Sequence, residues 1–145
     1  MVYLFTMDYS TTSINDVLSR DFQSVKDKRG ELKFFEIQKV FNILACRIFF
    51  IQTVGSSLRG GHAHRLCNQV IICNFGSVSI KCFDSVNIKK YELNDKNFAL
   101  FIPCGIWVDI QFHGPALITV LCDQPYIEEE YIRDIDAYNV EKKIL

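Results

Sequence analysis

The sequence predicts an all-β barrel or sandwich, on three observations. From Leu32 onward, short apolar segments are separated by clusters of Gly, Asn, Asp, Ser and Pro, the punctuation of strands and turns. Helical periodicity is missing until the C-terminal tail. Within Ile106–Phe112, Ile106, Val108, Ile110 and Phe112 share one face while Trp107, Asp109 and Gln111 share the other, so one side packs and the other meets something polar.

Taken in order, residues 1–26 form a polar N-terminal extension to which no element is assigned. Strands are expected at Leu32–Ile37, Leu44–Thr53, Gln69–Cys73, Val78–Phe83, Ile88–Leu93, Phe98–Ile102, Ile106–Phe112 and Leu117–Cys122. Turn chemistry lies between them at Asn74–Ser77, Asp84–Ser85, Asn94–Asn97 and His113–Pro115. The tail Glu128–Leu145, acidic at its start and basic at Lys142–Lys143, suits a short helix by charge placement. With 145 residues the chain is the size of one domain, large enough to bury roughly two thirds of its unfolded surface.

Composition narrows the function classes. The chain is 49% hydrophobic and 13% aromatic with a net charge of −1, an ordinary globular balance. Its 16 basic and 17 acidic side chains create no overall positive field, which argues against a nucleic-acid partner. No segment reaches the ~20 apolar residues of a membrane helix, and no leader pattern opens the chain, so a cytoplasmic location is expected. The six cysteines, Cys46, Cys67, Cys73, Cys82, Cys104 and Cys122, lie mostly in apolar runs without a CxxC pair and are expected to be free thiols.

The informative stretch is Arg59-Gly60-Gly61-His62-Ala63-His64. Residues two apart on a strand point to the same side, so both imidazoles would share one pocket. In an all-β chain this pair matches the first block of the cupin pattern, in which a glutamate follows the HxH and a histidine follows a PxG in a second block. Here four residues separate His64 from Gln69, which holds the acidic position as an amide; Pro103-Cys104-Gly105 supplies the PxG, but Val108 stands where the histidine belongs. An amide and an aliphatic side chain cannot help two imidazoles close a first shell around a divalent cation, so no metal and no cofactor are expected. Free imidazoles titrate near neutral pH and suit general acid–base work beside a carbonyl.

Three stretches, RGGHAHR at Arg59–Arg65, QVIICNFGS at Gln69–Ser77 and DQPYIEEEYIRDID at Asp123–Asp136, together resemble the dTDP-sugar 3,4-ketoisomerases, metal-free cupins of bacterial deoxysugar biosynthesis. The resemblance runs from about Asp27-Lys28-Arg29-Gly30 to Asp136. It implies a cupin fold, that is, a double-stranded β-helix or jelly-roll barrel, and a homodimer in which strands of one subunit complete the sheet of the other. It further implies conversion of dTDP-4-keto-6-deoxyglucose into a dTDP-3-keto-6-deoxyhexose, the precursor of a 3-amino sugar for surface glycans such as the O-antigen of lipopolysaccharide.

The C3 hydrogen of such a sugar is acidified by the C4 ketone, and its removal gives an enediol that is reprotonated at C4. His64 is the expected base and His62 its partner. Arg59 and Arg47 are candidates for the diphosphate or the sugar, with Arg29 of the DKRG segment a third. Trp107 is a candidate to stack near the substrate, and Gln69 to hydrogen-bond one imidazole and set its tautomer. Val108 and Phe49 replace a His or Arg and a tyrosine common in the family, which leaves the C4 epimer open. The galacto product is the expectation, although no residue in the sequence argues for it over gluco. Competing readings are a 3,5-epimerase-like enzyme, a non-catalytic sugar-nucleotide binding module, and a metal-dependent dioxygenase with ligands brought in from elsewhere.

Overall fold

The computed structural model describes residues 7–96 and 98–143. After a 3-10 turn at Ile14–Asp16 come β1 (Leu18–Asp21), β2 (Gln23–Asp27), β3 (Gly30–Phe34), α1 (Ile37–Phe41), β4 (Arg47–His64), β5 (Gln69–Phe75), β6 (Ser77–Phe83), β7 (Ile88–Asn94), β8 (Phe98–Ile102), β9 (Trp107–Cys122), β10 (Tyr131–Ile132) and α2 (Ile135–Lys143). All pairings are antiparallel.

Two long strands organise the molecule. β9 pairs with β4 along one edge; along the other it pairs with β6 through its first half and with β5 through its second. The sheet therefore forks into two branches that curl toward each other, the expected cupin jelly roll. One branch carries β7, β6, the first half of β9 and the end of β4; the other carries β1, β8, β5, the second half of β9 and the start of β4. The core, with Ile71, Val78, Ile80, Leu100, Ile110, Phe112, Ile118 and Val120, fills the space between them.

The structure redraws several expected boundaries. The turn at His113–Pro115 is a bend inside β9: Gly114 lies opposite Gly55, and Pro115 opposite Val54, so two facing glycines let both strands bend together without breaking the ladder. β4 begins at Arg47 and continues past Thr53 to His64 for the same reason. The strand expected at Leu32–Ile37 ends at Phe34, and Ile37 opens α1. The N-terminal extension supplies β1, which pairs with β8, and most of β2; its first six residues, Asn97 and the last two residues of the tail lie outside the described residues.

The C-terminal helix starts at Ile135 rather than Glu128. Asp134 Oδ1 accepts from Ala137 N at 2.7 Å as a cap. The acidic run Glu128–Glu130 forms a 3-10 turn instead, because Glu130 is drawn inside and Tyr131–Ile132 pairs with the end of β4. Cys46 is exposed, whereas the other five free cysteines are buried.

One local irregularity positions the site. Along β4 the odd-numbered residues, Phe49 and Ile51 among them, face inward, so strict alternation would turn His62 and His64 outward. The register shifts between Gly60, opposite Asp109, and His62, opposite Val108, leaving Gly61 as an extra residue that reverses the parity. Gly60 and Gly61 adopt φ of +84° and +71°. A Cβ on Gly60 would lie 2.5 Å from the Val108 carbonyl oxygen. Gly60→Ala is therefore expected to destabilise the fold by about 2 kcal/mol or more and to displace His62; a thermal melt beside an activity assay checks both.

Candidate active site

β4 curls far enough that residues from its start and its end line one cavity of about 70 Å³: Phe49 and Ile51 from the start, Gly60, His62 and His64 from the end. Cys67, Gln69, Ile71, Ile102, Pro103, Ile106, Val108, Ile110 and Val120 complete the lining. The two imidazoles meet edge to face with centroids 5.0 Å apart. Tyr131, directly opposite His64 in the ladder, packs its ring on both, at 4.3 Å from His64 and 5.1 Å from His62.

Glu130 is the residue that sequence reasoning missed. It is only 3% exposed. His64 Nδ1–H donates to its Oε1, and the backbone N–H groups of Leu66 and Cys67 donate to its Oε2 at 3.1 and 3.3 Å. Burial alone would raise the Glu130 carboxyl, but these donors outweigh it and hold it below the ordinary carboxylate value. The tautomer of His64 is thus set by Glu130, leaving Nε2 buried without a hydrogen-bond partner in the cavity. The expectation that Gln69 sets a tautomer is corrected, since its Nε2 donates instead to Cys122 Sγ at 3.6 Å.

His62 is pushed down to about 4, first by burial and then by the neighbouring His64. Its Nδ1 is likewise buried and unpartnered. Because the folded value lies below the ordinary 6.5, the folded state resists protonation that the unfolded chain accepts. Stability is fully present above about 6.5 and is expected to decline as the pH falls toward about 4; in His62→Asn, melting temperatures followed across that window should decline less steeply.

The donor atoms of His64, Cys67 and Glu130, all buried, lie within 4.8 Å of one another. Glu130 there accepts three hydrogen bonds, from His64, Leu66 and Cys67.

The arginines divide. Arg47 sits at the mouth, with Nη2 donating to Cys122 Sγ at 3.5 Å, its guanidinium over Phe49 at 5.5 Å and Tyr126 at 5.6 Å, and a hydrogen bond to the Tyr131 hydroxyl. Arg59 is exposed opposite the cavity-lining Ile110, on the same face of the sheet. Arg29 does not join the histidines of its own chain: it lies at the tip of the β2–β3 hairpin, ion-paired to Asp27 at 2.5 Å. Trp107 does not reach the cavity either. The alternation that turns Val108 inward turns Trp107 outward, under α2, where it packs 5.5 Å from Tyr138 and donates to Asp109 Oδ1 at 3.2 Å.

A jelly-roll barrel whose cavity holds two unpartnered imidazole nitrogens, one ring backed by a buried carboxylate, defines a cupin equipped for proton transfer. Residues 15–143 match the model of the FdtA family, described as WxcM-like, C-terminal, and the chain belongs to that family. It is 29% identical over 120 residues, 81% of this chain and 86% of the other, to the TDP-4-oxo-6-deoxy-α-D-glucose-3,4-oxoisomerase of Aneurinibacillus thermoaerophilus. A 3,4-ketoisomerase from Helicobacter canadensis superposes with a TM-score of 0.81 at 35% identity, covering 86% of this chain and 96% of that one. A histidine-to-asparagine variant of the 3,4-ketoisomerase QdtA from Thermoanaerobacterium thermosaccharolyticum, in complex with TDP-4-keto-6-deoxyglucose, gives 0.83 at 30% identity over 91% and 97%.

Proposed function

We propose that this chain is a sugar-nucleotide 3,4-ketoisomerase that converts dTDP-4-keto-6-deoxyglucose into a dTDP-3-keto-6-deoxyhexose, moving a proton from C3 to C4 through an enediol without a cofactor. The observation that carries this reading is the His64–Glu130 pair, with Nε2 of His64 free in the cavity. A base must become positively charged during the reaction, and of the two imidazoles only His64 has a carboxylate against it. His64 takes the C3 proton and returns one to C4. His62, held neutral, relays the proton between the two sugar oxygens as the carbonyl moves. Arg47 and Arg59 at the mouth anchor the diphosphate.

The same reading has the enzyme in the cytoplasm, where its free cysteines stay reduced, supplying the 3-keto precursor of a 3-amino sugar for O-antigen or other lipopolysaccharide glycans. It also makes the enzyme a homodimer. β2 and β3 form a two-stranded sheet of their own with Val25, Leu32 and Phe34 exposed, and the outward face of β4 carries an apolar stripe of Ile48, Phe50, Val54 and Leu58, with Val54 95% exposed. A second copy would cover both and bring Arg29 of one subunit toward the site of the other. Phe50→Glu is expected to shift the sedimentation coefficient to that of a monomer.

Incubation with dTDP-4-keto-6-deoxyglucose in deuterated water, followed by NMR, tests the activity. Loss of the C3 hydrogen with deuterium appearing at C4 supports the isomerase; exchange at C5 identifies an epimerase, and thermal stabilisation by dTDP without turnover identifies a binding module.

A further inference from the structure

We infer that His64, Cys67 and Glu130 form an inhibitory site for a thiophilic divalent cation of the zinc class. His64 ends β4, Cys67 lies in the connection to β5, and Glu130 ends the 3-10 turn before β10. One ligand atom from each lies within 4.8 Å of the other two, and the residues are 6%, 1% and 3% exposed. Zinc bonds to such atoms at about 2.0–2.3 Å, so small side-chain rotations bring all three within its reach. Imidazole nitrogen, thiolate sulfur and carboxylate oxygen together favour zinc over magnesium or calcium, which take oxygen ligands. The set shares only His64 with the cupin ligand pattern, whose acidic and second-block positions hold Gln69 and Val108 here.

The backbone around the three donors is tied down. Arg65 N–H donates to the Glu130 carbonyl oxygen at 2.8 Å, and Leu66 and Cys67 N–H anchor Oε2 of its carboxylate, which leaves Oε1 for a ligand bond. Gly105 N–H donates to the His64 carbonyl oxygen at 2.7 Å. Asn68 gives its N–H and Nδ2 to the Asp123 carboxylate at 2.8 and 2.7 Å, and its Oδ1 accepts from Cys104 N at 2.9 Å. Outer contacts of this kind orient ligands before an ion arrives. His64 and Cys67 also line the cavity, which gives the ion its way in.

Binding there changes what the cavity can do. Oε1 of Glu130 accepts the Nδ1 proton of His64, which leaves Nε2 as the ring's free acceptor. An ion bonded to Nδ1 requires that nitrogen without its proton, and a neutral imidazole then carries its proton on Nε2. The Cys67 thiol gives its proton to solvent as the sulfur–metal bond forms. The proton lost from Nδ1 is matched by the one gained at Nε2, so one proton is released per ion bound. The nitrogen that takes the C3 proton thereby becomes a donor, and turnover stops. This consequence rests on the ketoisomerase reading above, whereas the binding of the ion does not.

The test uses the full-length chain with the exposed Cys46 replaced by serine, so that no surface thiol competes. Cobalt(II), which occupies zinc sites and reports sulfur ligation by a charge-transfer absorption, should give that band, saturating at one equivalent and bleached by zinc. Adding Cys67→Ala should abolish the band and weaken zinc binding by about 100-fold in competition with a chromophoric chelator. No band in the folded protein, a band that survives Cys67→Ala, or an unchanged zinc affinity overturns the site. One equivalent of zinc should also stop conversion of dTDP-4-keto-6-deoxyglucose, and a chelator restore it, whereas Cys67→Ala should keep turning over at the same zinc concentration. A protein that binds zinc through Cys67 and still turns over overturns the inhibitory role. A chelator-treated protein with no isomerisation at all overturns the ketoisomerase reading and leaves the binding result standing.

Discussion

Replacing His64 with asparagine is expected to lower kcat by about 1,000-fold, the loss associated with removing a positioned general base. Asparagine keeps a polar group of similar size beside Glu130, so the fold should survive, and unchanged circular dichroism would show it. KM should change little, because the proposed diphosphate anchors, Arg47 and Arg59, are untouched and the base acts mainly in the transition state. Steady-state kinetics on dTDP-4-keto-6-deoxyglucose check both parameters. A fall of less than tenfold would exclude His64 as the base and move that role to His62.

Glu130→Gln should produce the next largest effect, a fall in kcat of about 10–100-fold. In the proposed mechanism the carboxylate is a positioning residue that acts through His64, whose Nδ1 it contacts, and would stabilise the imidazolium while holding Nδ1 protonated. A glutamine either sets its N–H against the donors Leu66 N and Cys67 N or turns it to His64 Nδ1, which leaves a donor facing a donor or forces the other tautomer. A purely structural role would lower stability without moving the pH profile of kcat, whereas a positioning role moves that profile. The stability curve carries a second signature. Because Glu130 is held below its ordinary value of 4.5 in the fold, its contribution is present above that value and disappears as the pH falls through the depressed one. In Glu130→Gln that acid loss should vanish, which a series of melts at decreasing pH would register.

Much of the architecture is legible in the chain because it rests on a two-residue period and on turn chemistry. The alternation in Ile106–Phe112 already separates Val108 from Trp107, and the structure places them on the inner and outer faces. What period alone does not say is what covers the outer face, and Tyr138 of α2 does so through a contact distant in sequence. The proximity of His62 and His64 follows from HxH on a strand. That they face inward depends on a bulge whose existence is settled by the pairing of β4 with β9. Gly114-Pro115 reads locally as a turn, and tertiary pairing opposite Gly55 and Val54 overrides it.

Glu130 was hidden for a different reason. Nothing local distinguishes it from Glu128 and Glu129, and an acidic run before a basic tail has the charge pattern of a helix start. Its burial follows from β10, a two-residue strand too short to leave a period, which pins Tyr131 and Ile132 to His64 and Ala63.

The ladder between β4 and β9 has a kinetic consequence. It joins Arg47 to Cys122 and Gly60 to Asp109, so barrel closure depends on contacts between segments far apart in the chain, and topologies of that kind fold slowly. Until β9 leaves the ribosome, β4, β5 and β6 all lack their shared partner strand, and their apolar faces and backbone edges stay open to other chains. Nascent molecules truncated before Trp107 should therefore aggregate rather than form a partial barrel, and the imidazole pair is set in place only once β9 has paired with β4.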